Sequence, residues 1–290
     1  MRVSNLTARV LGVCSMFGIL AGCSGSDSTP SSASPNARSG GPLSGVARDV
    51  LRLRPNGIAP AIPQIHSLTH KDKRPVLVVA DVVTNTVTEY ASPYTGAPIA
   101  TITKRVDGPM HLAFHRHDLF VANSSNSTVT EYVPPYTGAP IATISNGVSG
   151  PLAVAFDVSG DLFVANFSNS TVTEYAPPYT GAPIATITNL GDPGALAFDA
   201  SDDLFVANMA APSYNNVVEY LPPYTGAPIA TITKRMHDPD GLAFDASGDL
   251  WVAMLDNNTV VEYAPPYTGA PVATSSNSIN GPTDLAFRAR

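Results

Sequence analysis

The chain beyond its first 75 residues is a succession of short apolar runs separated by clusters of Gly, Pro, Asn, Asp and Ser. One stretch shows the pattern: residues 152–156 are apolar, 157–160 form a turn, 161–165 are apolar, 171–175 alternate, and 183–187 begin with proline. Such runs of about four to eight residues, bounded by turn residues, predict β-strands. The second run lacks alternation, which favours a strand covered on both faces, whereas the initial proline of the last run favours an edge strand.

The same four-strand unit recurs with a regular spacing. The motif Pro-Tyr-Thr-Gly-Ala-Pro appears with its tyrosine at positions 94, 136, 179, 224 and 267. A period of about 40 to 45 residues is typical of β-propeller blades. Residues 76–81 begin the first copy at its second strand and residues 282–287 supply a first strand, so we expect these two ends to pair and close the ring. The sequence predicts an all-β propeller of five four-stranded blades over residues 76–290, with six blades, including residues 57–75, as the alternative.

The N-terminus predicts export and lipidation. Arg2 and Arg9 precede an apolar run at residues 10–22 that is too short to span a bilayer, so residues 1–22 are predicted to be a signal peptide. The run ends in Leu20-Ala21-Gly22-Cys23, which resembles the lipobox of bacterial lipoproteins. The resemblance implies cleavage before Cys23, acylation of this residue with palmitate among the acyl chains, and anchoring to the cell envelope. Ser24 follows the cysteine, which favours the outer membrane or cell surface.

The segment after Cys23 has the composition of a tether. Residues 23–56 are rich in Ser, Pro, Gly and Ala and hold few large apolar side chains, so they cannot bury enough surface to fold. Residues 57–75 are ambiguous, because a strand at 61–68 is followed by a charged stretch ending in Pro75. Cys14 leaves with the signal peptide, so no disulfide is expected within one mature chain.

Charge excludes some partners. The net charge is −7 and only 13% of the residues are charged, which argues against a nucleic-acid partner or a surface that binds anionic lipids. We expect a monomer without a cofactor. One glutamate per copy predicts a structural or solubility role, since radially separated carboxylates cannot act as a catalytic pair. These glutamates are Glu89, Glu131, Glu174, Glu219 and Glu262.

Another polar series ends the second strand of each copy. Asp81, Asn123, Asn166 and Asn208 stand at this position, where a short polar side chain can bond its own turn. Met254 interrupts the series, and the sequence offers no reason for it.

The repeat resembles a known family of blades. One copy contains Gly150-Pro151, an apolar run ending in Phe156-Asp157, and then Gly160-Asp161-Leu162-Phe163-Val164-Ala165-Asn166, with Asn169 and Thr171-Val172 following. This pattern resembles the NHL repeat, and more broadly the NHL, gluconolactonase and streptogramin-lyase group of propellers. The resemblance covers residues 76–290 and implies the blade, not an activity. NHL domains mostly serve as extracytoplasmic sensors or binding platforms, whereas gluconolactonases are metal-dependent hydrolases.

One fragment favours the hydrolase. The run Asp238-Pro239-Asp240-Gly241-Leu242 is similar to the gluconolactonase segment in which the aspartate after proline binds a divalent cation at the channel mouth. Such a cation needs about six oxygen ligands. The equivalent positions hold Met110, Leu152, Gly194 and Thr283. Because one carboxylate is not a cage, we predict neither a metal site nor catalytic residues. One position further along, His111 and Asp284 flank Asp240, but successive side chains of a strand face opposite sides.

The loops between copies point to a binding face. Residues 104–109, 146–151, 189–193, 234–239 and 277–282 differ between copies, whereas the turns at the other end repeat. The candidate ligand-binding residues are His111, His237, Asp238, Asp240 and Asp284. The repeated Pro-Tyr turns are the rival surface, if their aromatic rings are exposed. The sequence predicts a non-catalytic, surface-tethered propeller that binds a small molecule, glycan or protein. The alternative is a metal-dependent lactone or ester hydrolase, or a streptogramin-type lyase.

Overall fold

A computed structural model of the chain describes residues 75–210 and 214–287. The predicted signal peptide, Cys23, the tether and residues 57–74 lie outside the described residues. No helix within those two ranges is long and apolar enough to cross a membrane.

The strands form five antiparallel sheets, which we number as blades 1 to 5. Blade 1 holds β1 (Val76–Asp81), β2 (Thr86–Ala91) and β3 (Ala100–Ile102), and blade 2 holds β4 (Pro109–His115), β5 (Asp118–Asn123), β6 (Thr128–Tyr132) and β7 (Ala142–Ile144). Blade 3 holds β8 (Pro151–Phe156), β9 (Leu162–Asn166), β10 (Thr171–Tyr175) and β11 (Ala185–Ile187). Blade 4 holds β12 (Pro193–Phe198), β13 (Leu204–Asn208), β14 (Asn216–Tyr220) and β15 (Ala230–Ile232). Blade 5 holds β16 (Pro239–Phe244), β17 (Leu250–Met254), β18 (Thr259–Tyr263) and β19 (Ala273–Ser275).

The predicted five-bladed propeller is confirmed. Within each sheet the strands pair in chain order, and the first strands of neighbouring blades contact one another, with β4 against β8, β8 against β12 and β12 against β16. The second strands β9 and β13 are buried at every residue, because neighbouring blades cover both of their faces. Their lack of alternation in the sequence follows from this packing.

Aromatic side chains fill the interfaces between blades. Phe163 of β9 reaches into blade 4, where its ring centroid lies 5.1 Å from that of Phe198 and 5.0 Å from that of Tyr224, both edge to face. The neighbouring interfaces repeat this arrangement, with Phe120 against Phe156 and Tyr179, and Phe205 against Phe244 and Tyr267. Edge-to-face contacts of this kind add to the free energy gained by burying the rings.

The Pro-Tyr-Thr-Gly motif forms the turn between the third and fourth strands. In blade 3 the N–H of Tyr179 donates to the carbonyl of Ala176 at 2.9 Å, and the Tyr179 hydroxyl donates to the carbonyl of Gly160 at 2.8 Å. The equivalent rings of Tyr136, Tyr224 and Tyr267 are also buried. The predicted tight reversal is present, but the idea of an exposed tyrosine surface is wrong, because these rings pack between blades.

Residues 282–287 occupy the place of a first strand without forming the predicted ladder with β1. A Cβ built on Gly241 of β16 would lie 2.6 Å from the Cα of Asp284, so the segment lies directly against blade 5. Trp251 meets Phe287 edge to face with centroids 5.8 Å apart, which repeats the aromatic contact of the other interfaces. None of residues 282–287 belongs to a strand. The contact of Phe287 with Trp251 and the close approach of Asp284 to Gly241 place the segment against blade 5 without a ladder. The initial proline is not the reason, because the prolines that begin β4, β8, β12 and β16 belong to strands that do pair.

Candidate functional site

The loops between blades form one face of the propeller, which we call the loop face (residues 104–109, 146–151, 189–193, 234–239 and 277–282). The other end carries the Asp-x-Ser-Gly and Pro-Tyr-Thr-Gly turns and is called the turn face, since successive hairpins of an antiparallel sheet emerge at alternate ends. A buried apolar residue anchors four of these loops: Val106, Val148, Leu190 and Met236. Their tips are exposed: two loops share a Lys-Arg tip, at Lys104-Arg105 and Lys234-Arg235, whereas the other two carry Asn146-Gly147 and Asn189.

A buried asparagine ties each of three loops to the second strand of its blade. In blade 3 the Oδ1 of Asn166 accepts the N–H of Ser149 at 2.9 Å, and its Nδ2 donates to the Thr173 hydroxyl at 2.9 Å. The loop backbone is thus fixed from beneath while its tip stays free to vary. The same loop bond joins Asn123 to Asp107 at 3.1 Å and Asn208 to Gly191 at 3.0 Å.

Asp81 and Met254 depart from this arrangement. Asp81 bonds its own turn as the sequence predicts, because its Oδ1 accepts the N–H of Val83 at 2.9 Å. Met254 is fully buried, and its Sδ accepts the N–H of His237, the loop position that the asparagines bond, at 3.2 Å. Val261 replaces the threonine of blade 3, but Val218 does so in blade 4 as well, where Asn208 is kept and its Nδ2 donates to Asn216 Oδ1 at 2.8 Å. The structure thus shows which bond Met254 makes, and nothing in it explains the choice of methionine over asparagine.

Each first strand carries a β-bulge just after its initial proline. The register shifts between Pro109 and His111, Pro151 and Ala153, Pro193 and Ala195, and Pro239 and Gly241. A bulge sets two residues opposite one and locally breaks the alternation of side chains. At these bulges, adjacent side chains therefore do not simply alternate between the two faces of the sheet, as the strand pattern had predicted.

Asp240 lies on the bulge of β16 and is half-buried. A Cβ built on Gly194 of the neighbouring β12 would lie 3.4 Å from Asp240 Oδ1 and 2.0 Å from Met209 Sδ. A larger residue at position 194 would require the Met209 side chain to move aside. The Asp240 carboxylate therefore lies beside a thioether and the backbone of the next blade.

The other predicted site residues are spread over the loop face and the first strands. Asp284 lies against Gly241, next to Asp240 in the chain. His237 is exposed, whereas Asp238 is buried and its carbonyl accepts the N–H of Leu255 at 3.0 Å. His111 is half-buried, and its Nδ1 accepts the N–H of Val154 on β8 at 3.4 Å. The structure places Asp284 against β16, the strand that carries Asp240, whereas His111 of blade 2 bonds β8 of blade 3.

The carboxylates that come closest together lie on the turn face. Within the described part of the chain, two groups of three acids have ligand atoms that all lie within 4.8 Å of one another: Asp157, Asp161 and Glu174, and Asp245, Asp249 and Glu262. Neither group includes Asp240. Sequence analysis missed these clusters, although the signal was present: an aspartate at each end of the first turn and one glutamate on the third strand of the same copy.

These glutamates are not solubilising surface residues. Glu89, Glu131, Glu174 and Glu219 are buried. Burial, followed by the charge of Asp118, raises the pKa of Glu131 to about 7. Burial, followed by the charges of Asp161 and Asp157, raises the pKa of Glu174 to about 7 as well. The predicted solubility role is therefore wrong, because these carboxyl groups sit where their ionised form is disfavoured.

A pH dependence of stability follows from these two residues. The pKa values of Glu131 and Glu174 in the folded state are about 7, above the usual 4.5. Between about pH 4.5 and pH 7 the folded protein therefore binds more protons than the unfolded chain. The stabilisation is complete at low pH and is lost as the pH rises through about 7. We expect the thermal midpoint, measured with chelator present, to fall by a few degrees from about pH 5.5 to 8. The double variant Glu131→Gln/Glu174→Gln should flatten this fall, and an equal fall in the variant would contradict the assignment.

Comparison with known proteins supports the fold. No protein-family model matches the chain, and no curated protein does either. Among solved structures, a 6-phosphogluconolactonase-like protein of Bacteroides uniformis aligns at 14% identity and a TM-score of 0.58, covering 72% of this chain and 69% of that one. The virginiamycin B lyase of Staphylococcus aureus aligns at 9% identity and a TM-score of 0.57, with the same coverage of both chains. A chain of the mitotic checkpoint complex aligns at 15% identity and a TM-score of 0.59, covering 73% of this chain, which spans 64% of its length. These identities show a shared propeller fold and nothing finer.

Proposed function

We propose that this protein is a surface-tethered, non-catalytic propeller that binds a small molecule, glycan or protein through its loop face. The observation that carries the proposal is the construction of this face. Buried asparagines or Met254 fix the loop backbones from beneath, while the exposed tips are basic in two loops and uncharged in two others. Rigid loops with varied tips are suited to binding, because little conformational entropy is lost when a ligand is held.

The exposed charge at the tips of two loops favours an anionic ligand, whereas the aspartates of the loop face, Asp107, Asp192 and Asp238, are half-buried or buried. The described residues include five Lys or Arg side chains, and four of them are the exposed tips Lys104, Arg105, Lys234 and Arg235. Around the five-bladed ring, the loop of residues 277–282 lies between the two loops that carry these tips. Sulfated or carboxylated glycans carry anionic groups that such guanidinium and ammonium groups bind.

The binding proposal is tested by exchanging the two basic tips for a tip that the chain already uses. In the variant Lys104→Asn/Arg105→Gly/Lys234→Asn/Arg235→Gly, each loop receives the Asn-Gly tip of residues 146–147. Glycine also suits the left-handed φ of 60° and 58° at Arg105 and Arg235. On an array of neutral and anionic glycans we expect the wild type to bind anionic ones and the variant to bind at least about tenfold more weakly.

The matched control is Asn146→Ser/Asn189→Ser at two uncharged loop tips, which should leave anionic-glycan binding unchanged. Equal binding by wild type and the basic-tip variant would refute an electrostatic role for the loop face. Aldonolactones serve as the second probe, for which we expect no turnover. Lactone hydrolysis that is lost with chelator and in Asp240→Ala would replace the binding proposal with the hydrolase.

The proposal also includes a lipid anchor on Cys23 and a tether that follows it. The lipobox-like Leu20-Ala21-Gly22-Cys23 and the Ser- and Pro-rich residues 24–56 support it. Two or three acyl chains on Cys23 would hold the protein at the membrane, since burial of about 0.8 kcal/mol per methylene makes two chains a stable anchor. In the same expression experiment Cys23→Ala should move the protein from the membrane to the soluble fraction. A variant that stays with the membrane would refute lipid anchoring and leave the loop-face test intact.

A further inference from the structure

Arginine is an unusual residue at the tip of a loop on the loop face. Arg105 and Arg235 both have a left-handed backbone, with φ of 60° and 58°. The equivalent positions hold Gly147 after blade 2 and Ser278 after blade 5, which are left-handed too. This conformation favours glycine, because a Cβ crowds the backbone there. Since the chain forms the same loop with glycine elsewhere, the fold does not require the two arginines, and a strained residue that the fold does not require points to a role in binding.

The two Lys-Arg tips are presented in the same way. The hydroxyl of the buried Tyr132 donates to the carbonyl of Lys104 at 2.6 Å, and the hydroxyl of the buried Tyr263 donates to the carbonyl of Lys234. Burial raises the pKa of both tyrosines, and the positive charge of the neighbouring arginine partly offsets this rise in each. Both guanidinium groups therefore lie near the tyrosine that holds their loop.

The positive charge of the tips is not neutralised within the part of the chain that the structure describes. All four side chains are exposed, and no described carboxylate forms an ion pair with any of them. The protein as a whole has a net charge of −7. Two patches of exposed, unpaired cations in an acidic protein are complementary to an anionic ligand.

The loop between the two tips is uncharged and polar. Residues 276–278 and Asn280 are exposed, and their hydroxyl and amide groups can donate and accept hydrogen bonds. The base of this loop is fixed, because the N–H of Gly281 donates to Asn258 Oδ1 at 2.6 Å. The shorter way around the ring from one basic tip to the other thus runs over groups that suit the hydroxyls of a sugar chain.

One exposed acid borders this shorter way. Asp256 lies in the turn between β17 and β18, two residues before the Asn258 that holds the loop. The longer way around the ring passes residues 146–151 and 189–193 instead. Asp256 therefore distinguishes the two ways, because only a ligand on the shorter one is repelled by its carboxylate.

We propose that the two Lys-Arg tips and the loop between them form one extended subsite for a linear sulfated or carboxylated glycan. The inference rests on the proposed ligand binding at the loop face, and it adds that a single glycan chain bridges both tips. Guanidinium groups bind sulfate and carboxylate groups with paired hydrogen bonds. Once one tip holds the chain, the other tip meets its anionic group at a high effective concentration, so a bridging chain binds more tightly than a short one.

The experiment is calorimetric titration with heparin oligosaccharides of graded length, from the disaccharide upwards. We expect affinity to rise at least about tenfold at the length that reaches both tips, with one long chain bound per protein. Lys104→Asn/Arg105→Gly should remove this gain and leave weak binding of the disaccharide at the remaining tip. Lys234→Asn/Arg235→Gly should do the same. Asp256→Asn should strengthen binding of the long chain at least about twofold, since it removes repulsion along the shorter way.

The control is Asn146→Ser/Asn189→Ser on the longer way, which should bind oligosaccharides of every length as the wild type does. The thermal midpoint of each single-tip variant should equal or exceed that of the wild type, because glycine suits the left-handed backbone. A lower midpoint would contradict the argument from strain. Polyglutamate of matched charge should bind more weakly than the long oligosaccharide, and equal binding would overturn the assignment to a glycan.

Two kinds of failure are distinguishable. If two long chains bind per protein, and each single-tip variant halves this number without a change in affinity, the tips act independently. Bridging is then refuted, as it is if long chains bind no more tightly than the disaccharide, while ligand binding at the loop face stands. Wild-type affinity in the variant that lacks both tips would refute the loop face itself. Unchanged binding in Asp256→Asn would refute the shorter way.

Discussion

Replacing Phe163 with alanine is expected to lower the free energy of unfolding by about 3 to 5 kcal/mol, the usual cost of emptying the site of a buried phenylalanine. The ring has no solvent exposure, and it meets Phe198 and Tyr224 of blade 4 edge to face. Alanine would leave a cavity at the interface between blades 3 and 4, where no flexible surface can collapse into the space. Urea unfolding followed by circular dichroism measures the change.

Two substitutions control this prediction. Phe163→Leu keeps most of the volume and should cost about 1.5 kcal/mol or less. Val158→Ala, at a turn residue that is 82% exposed, should have no measurable effect. A Phe163→Ala protein as stable as the leucine variant would show that the aromatic interfaces contribute little to the cohesion of the ring.

Ending the chain after Gly281 is expected to lower the free energy of unfolding by about 2 kcal/mol and to expose the open side of blade 5. The truncation removes Leu285 and Phe287, which are only partly buried, so about half of the 1.5 to 3 kcal/mol for full burial of each is lost. It also uncovers Gly241 and Trp251, against which the segment packs. Thermal unfolding and binding of a hydrophobic dye measure stability and exposure together.

Point variants separate the contributions. Phe287→Ala should reproduce part of the loss through its contact with Trp251, whereas Ala286→Ser at an exposed neighbour should not. An unchanged midpoint in the truncated chain would mean that the ring is held without residues 282–287, and the role of this segment in closure would be wrong.

Much of the fold could be predicted from the sequence, because the same turn and strand patterns recur in every copy. The turn before Tyr179 predicts a chain reversal and the unbroken apolar run of β9 predicts a covered strand. The five copies of this unit predict the number of blades. The absence of a ladder at residues 282–287 could not be predicted, because the segment has the opening proline and the apolar end of the first strands that do pair. Only the structure shows that this copy packs against blade 5 without joining a sheet.

The candidate site was less predictable. Alternation along a strand suggested that Asp240 and its neighbour face apart, but the bulges after Pro239 and its equivalents change the spacing, and no residue type marks them uniquely. Glu174 belonged to a glutamate series with a predicted structural or solubility role, because the sequence gives no measure of burial for a glutamate on an alternating strand. Only the packing of adjacent hairpins shows that Glu174 is covered and faces two aspartates.

The sequence by itself determined the blade, the number of copies and the face on which the copies differ, because strand period and turn chemistry are local properties. Tertiary structure decided what the polar repeats do. Asn166 accepts the N–H of Ser149 from the loop and also donates to Thr171 across its own turn, Met254 takes over the loop bond in blade 5, and Glu174 is buried. These outcomes depend on residues that lie 17 positions away in the chain or on another strand. A sequence pattern does not show which of such distant residues come into contact.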